Sequence, residues 1–169
     1  MALAVPLSRF TPRVGGGSAF FVRRHSHHME HDAHIYFAVF EFGQDASVVT
    51  QLAGFEPTES WIVGQPMRKR PDVTHRHSRW TFKSSLPLGA PVEEHLAVLL
   101  SALEPHAAGI RAVMARFPAE ICCAVYFRTF TPGIHLSQQL LTRVAALGLD
   151  IDFDLYFLGE DDKPDDHAA

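Results

Sequence analysis

At 169 residues, with 47% apolar content and a formal charge of −4, the chain has the size of one domain and enough apolar side chains for a single core. Arg, His, Glu or Asp interrupts each apolar run before the ~18 to 20 residues that a bilayer-spanning helix needs, which predicts a soluble, cytoplasmic protein. The adjacent Cys122 and Cys123 would strain a disulfide between them and are expected to be buried free thiols.

Residues 1–28 carry Arg9, Arg13, Arg23 and Arg24 and no acid, which leaves 11 of the 15 basic residues against all 19 acidic ones. With Pro6, Pro12 and Gly15-Gly16-Gly17 and no sustained periodicity, residues 1–33 are predicted to be a disordered extension. An acid-free, Arg-rich opening also fits a transit peptide, and Met29 offers an alternative start just before the first strand.

The β-branched and aromatic run from His34 to Phe42 predicts a central strand. Val48, Val49 and Leu52 place an apolar stripe on a short helix, with Asp45 as a cap and Gly54 as its end. Glu59 to Val63 and Arg79 to Lys83 read as a hairpin with a long loop, Trp80 and Phe82 sharing one face of the second strand. That loop gathers Arg68, Lys69, Arg70, Arg76, His75 and His77 against Asp72 alone. Val92 to Phe117 carries apolar residues at spacings of three and four, and Pro105 predicts a kink or break in this main helix.

Ile121 to Phe127 is apolar throughout, as a strand buried on both faces should be. A third helix follows, with Ser137 as its N-cap and Gly148 as its left-handed end. The last strand, Asp150 to Phe157, alternates: Ile151, Phe153, Leu155 and Phe157 are expected to be dry, and Asp150, Asp152, Asp154 and Tyr156 to face solvent. Residues 159–169 read as an acidic flexible tail. This order predicts an α+β domain over residues 34–158, a mixed, largely antiparallel sheet with about three helices on one face and the other face open.

Phe55-Glu56-Pro57-Thr58, the piece from Trp61 to Gly64, the Trp80 strand, Glu94-His95-Leu96, and Gly133-Ile134-His135-Leu136-Ser137 leading into Leu147 to Tyr156 together resemble the bacterial "domain of unknown function 4279" family. The likeness spans about residues 34 to 158. The resemblance implies no catalytic residues; analogy with small acidic proteins of bacterial conflict loci suggests toxin immunity.

Several clusters invite chemistry. His25, His27, His28, His31 and His34 could chelate a transition metal only if a scaffold fixed them, so a solvated tract is expected, with no metal and no cofactor. The carboxylates of Asp150, Asp152 and Asp154 stand roughly 7 Å apart in succession, too wide for adjacent members to share one small ion, and read as a solvated acidic face. The basic stretch 68–83 could bind an anion or single-stranded nucleic acid, or lie solvated against the protein's own carboxylates; the acidic body argues against nucleic acid. No Ser or Cys sits in a nucleophile motif, and His95, His106 and His135 read as surface or capping residues.

The sequence therefore predicts a binding module rather than an enzyme. The leading expectation is a protein-binding module, with an immunity-type inhibitor as one form of it, that presents Asp150, Asp152, Asp154 and Tyr156 to a basic protein partner. The alternative is an anion or small-molecule binder, or a hydrolase, with a pocket lined by Trp61, Trp80, Arg68, Arg70 and Arg79.

Overall fold

The structure, a computed structural model, describes residues 31–128 and 133–158. The expectations for residues 1–30 and for the acidic tail from residue 159 lie outside the described residues. Strand β1 (His31–Phe40) is antiparallel to β5 (Arg79–Lys83) on one side and to β6 (Ala119–Phe127) on the other. Outside β5 lies β2 (Glu59–Trp61), antiparallel; outside β6 lies β7 (Ile151–Phe157), parallel. The order β2-β5-β1-β6-β7 is the expected mixed, largely antiparallel sheet of an α+β domain. The first strand starts three residues earlier than the sequence suggested, and Ala33 is already fully buried.

Register decides which side chains share a face. Ala33, Ile35, Phe37 and Val39 align with Trp80 and Phe82, with Ile121, Cys123 and Val125, and with Ile151 and Phe153. All of these belong to one core with the helices or pack against it. Those helices are α1 (Ser47–Ala53), α2 (Val92–Leu103), α3 (Ala107–Met114) and α4 (Gln138–Leu147). The main helix breaks where Pro105 removes a donor: a single 3-10 turn, Glu104–His106, separates α2 from α3. By length and composition alone Val92–Met114 could cross a bilayer, contrary to the reading that every apolar run is too short. In this fold its Leu96, Leu99, Leu100, Leu103, Ile110 and Val113 are spent on the core. Ser137 Oγ accepts from the Leu140 amide at 3.3 Å and Gly148 ends α4 at φ 74°, both as the sequence predicts.

Two expectations fail on the buried side. His95 is not a surface residue: it is 1% exposed, with Nδ1 3.0 Å from Ser84 Oγ and Nε2 3.1 Å from the Pro87 carbonyl. The apolar row of β7 is only partly buried at Ile151 and Phe153, and among the described residues the helix layer does not extend over Leu155 and Phe157, which are 46% and 59% exposed.

Candidate functional site

The opposite face of the sheet has no helix layer among the described residues. Cross-strand register brings Trp61 beside Arg79 and Arg79 beside Phe40 in one row, then Lys83, Tyr36, Cys122 and Asp152 in another. The long loop between β2 and β5 closes over one end of this face. It folds as a small hairpin, β3 (Pro66–Met67) paired with β4 (Arg70–Thr74), which sequence periodicity did not reveal. Backbone bonds from Gly64 to the His75 carbonyl and from His75 to the Gln65 carbonyl, both 2.9 Å, fix its base. The His75 ring stacks on Trp61 at 4.6 Å and 21°.

Between hairpin and sheet lies a cavity of about 530 Å³, within the range of small-molecule pockets. The sheet supplies Phe40, Trp61 and Arg79; the hairpin supplies Met67, Arg70 and Val73; the following loop supplies His75, Arg76 and His77. Three arginines are among the residues that line it, and no Asp or Glu is. A groove of about 250 Å³ continues from it along the open sheet face, past Tyr36, Glu59, Lys83, His34 and Tyr126, and shares Trp61 and Arg79 with the cavity.

Arg79 is the centre of this arrangement. Its guanidinium carbon lies 4.9 Å from the Tyr36 ring centroid, 5.3 Å from Phe40 and 5.9 Å from Trp61. Nη2 donates to the Tyr36 hydroxyl at 2.7 Å. Among the described residues, Arg79 forms no ion pair with a carboxylate, and its Nε is a buried donor with no acceptor. A buried donor without an acceptor costs on the order of 1–3 kcal/mol. Burial pushes the Tyr36 phenol up to about 12 despite the adjacent cation, so it stays neutral.

The thiols do not add nucleophilic chemistry. Cys122 faces Tyr36 and Arg79 on the open side, and Cys123 faces the helices. Burial, aided by Glu120, pushes Cys122 up to about 11, and burial pushes Cys123 up to about 12. Both remain protonated at neutral pH. Among the described residues, no three His, Cys, Asp or Glu side chains gather where they could hold a metal ion. His25, His27 and His28 lie outside the described residues.

Of the residues singled out from the sequence, Trp61, Arg70 and Arg79 meet at the cavity. Trp80 does not: it is fully buried on the helix side, with Nε1 donating to Thr50 Oγ1 at 3.1 Å, because neighbours along a strand point to opposite faces. Arg68 sits in the hairpin turn, exposed, and is not part of the lining. Asp150, Asp152, Asp154 and Tyr156 are exposed on the far side of the sheet, four strand spacings from Trp61, or about 19 Å. Asp154 raises the pKa of Tyr156 through its charge. The sequence reading missed Phe40 and Tyr36, whose participation depends on register across β1 and β5.

Residues 31–158 match the sequence profile described as "Domain of unknown function (DUF4279)", and the chain belongs to that family. Searches of curated proteins and of solved structures return no match.

Proposed function

We propose that this member of the DUF4279 family is a binding protein for a small organic anion, held in the cavity between the β3–β4 hairpin and the open sheet face. The observation that carries the reading is Arg79: a guanidinium packed on three aromatic rings, with no carboxylate partner among the described residues and an unfilled donor, at the wall of a cation-lined cavity. A resting structural arginine ordinarily finds an acid, as Arg143 does with Glu104 at 2.6 Å. Arg70 and Arg76 add positive charge from the hairpin side, and Phe40, Trp61 and Val73 give the ligand's apolar part a surface.

Titration calorimetry with sulfate, phosphate, citrate and benzoate tests this. The expected result is saturable binding of at least one anion that weakens with added salt and disappears in Arg79→Met. Heats indistinguishable from dilution for every anion would end the reading.

A second reading rests on a different observation, the free edge of β7. Among the described residues β7 pairs only with β6, and Leu155, Tyr156 and Phe157 stand exposed beside Asp152 and Asp154. An extended basic segment of a partner protein, as an immunity-type inhibitor would meet on a basic toxin, could add to this edge with its cations against the aspartates. A second copy of this strand would instead set like charges opposite one another. A peptide alternating lysine and valine should slow hydrogen exchange of the β7 amides, less so at high salt. Unchanged exchange at saturating peptide would rule this out.

A further inference from the structure

We infer that the hairpin cavity and the adjoining groove form one two-part site for a phosphate monoester carrying a flat ring system, with the span of a nucleoside monophosphate. The inference rests on the anion reading above and names the ligand class.

The two compartments differ in chemistry and share a wall, Trp61 and Arg79. On the hairpin side, Arg70, Arg76 and Arg79 line the cavity without a carboxylate. A single carboxylate presents two acceptor oxygens and is satisfied by one bidentate guanidinium, whereas a phosphate dianion presents three oxygens and doubles the charge. Three guanidinium groups fit the second ligand better. Arg79, whose Nε lacks an acceptor, belongs to the wall that the two compartments share.

On the sheet side three aromatic residues, Trp61, Tyr36 and Tyr126, line the groove together with the small Thr81 and Ala124. Aromatic side chains in such a groove suit a flat ring, which can stack on them. Tyr126 is held in place by stacking on Tyr156 at 4.7 Å and 13° and by an edge contact with His34 at 5.6 Å. Glu59 and Lys83, paired at 2.6 Å and half-exposed on the rim, offer an acceptor and a donor for ring substituents. A longer nucleic acid whose next phosphates ran toward the exposed Asp152 and Asp154 would be repelled there.

The experiment compares adenosine and uridine 5′-monophosphate with ribose 5-phosphate, adenosine and inorganic phosphate by titration calorimetry on the full chain. Base stacking predicts that at least one nucleotide binds about ten-fold or more tightly than ribose 5-phosphate. Tyr126→Ala, with its fold checked by circular dichroism, should bring that nucleotide to the level of ribose 5-phosphate and leave ribose 5-phosphate unchanged. Arg79→Met should lose every phosphate ligand. Equal affinity for both nucleotides and ribose 5-phosphate overturns the two-part site while leaving the anion reading intact. Failure of every phosphate, with citrate or benzoate still bound, overturns the phosphate class alone. Tighter binding of a single-stranded tetranucleotide than of either mononucleotide also overturns it, in favour of a nucleic-acid surface.

Discussion

The two faces of one sheet are built to opposite specifications. On the helix side, side chains are apolar and the rare polar atom is matched, as where Trp80 Nε1 meets Thr50. On the open side, an arginine lies among aromatic rings with a donor unfilled, and tyrosines, a histidine and an exposed ion pair surround it. A core that leaves nothing unsatisfied has only folding to serve. A surface that holds a cation against aromatic rings without an acid carries a cost that folding alone does not explain, and unfavourable arrangements of this kind concentrate where something binds.

Substitutions that break the helix side should have the largest effects. Trp80 is fully buried, with Phe55 and Phe37 edge-on to it at 5.3 and 6.1 Å, so Trp80→Ala should cost about 3–5 kcal/mol in urea unfolding. Gly109→Ala should be comparably damaging for a different reason. Its new Cβ would collide with the Ala53 carbonyl oxygen and lie 2.6 Å from that of Leu52, so α1 would have to move off α3. A change below about 1 kcal/mol at both positions would mean that this side is not the rigid half of the comparison.

Next in size is the tie at the sheet's margin, where His95 bonds Ser84 and the Pro87 carbonyl and holds the β5–α2 connection against the helix. Ser84→Ala leaves a buried ring nitrogen unpaired and should cost about 1–3 kcal/mol. Burial lowers the His95 pKa, with His31 and His34 acting in the same direction and the Pro87 carbonyl and Glu94 opposing. A folded pKa below the unfolded value of 6.5 means that protonation favours unfolding. The contribution of His95 is therefore complete above pH 6.5 and is lost as pH falls through its lowered folded pKa. Unfolding midpoints across that window measure it, and His95→Gln should flatten the slope.

The helix side was also the legible one. Periodicity placed α2 to α4, Pro105 placed the break, and Ser137 and Gly148 placed the ends of α4, because burial and capping leave their marks on neighbouring residues in sequence. The open side depends on register, which is non-local. Tyr36 and Phe40 join Arg79 only because β1 and β5 align Phe40 with Arg79. Trp80 was drawn toward the site by its neighbours in sequence although strand alternation alone sends it the other way. The β3–β4 hairpin is exposed at nearly every position, so no apolar alternation announces it. The wet end of β7 shows the converse: its alternation is unbroken, yet among the described residues the helix layer stops short.

Arg79→Met sharpens the comparison because stability and function should separate. Loss of the Tyr36 bond and of the ring contacts is offset by removing a cation with an unfilled donor, so the net change should stay within about 1 kcal/mol. Anion binding should vanish. A loss as large as that of Trp80→Ala would make Arg79 a structural strut and erase the distinction between the faces.

The smallest effect should come from the Lys83–Glu59 pair, although its 2.6 Å separation is as short as that of the pair between Arg143 and Glu104. The two side chains are 43% and 49% exposed, so water and salt screen the attraction, and ordering two long side chains offsets much of the remainder. Strand β2 does not depend on it: the Thr58 amide donates to the Thr81 carbonyl at 2.8 Å, the Lys83 amide to Thr58 Oγ1 at 3.0 Å, and Thr81 Oγ1 to the Glu59 carbonyl at 3.1 Å. Lys83→Ala should therefore shift stability by no more than about 0.5 kcal/mol, and by less as salt is raised. Because those backbone ties keep the groove's shape, any change in ligand affinity in the same variant reports on the rim itself. A stability loss well above 1 kcal/mol that persists at high salt would instead make this pair part of what holds β2 to the sheet, and the rim could no longer be varied independently of the fold.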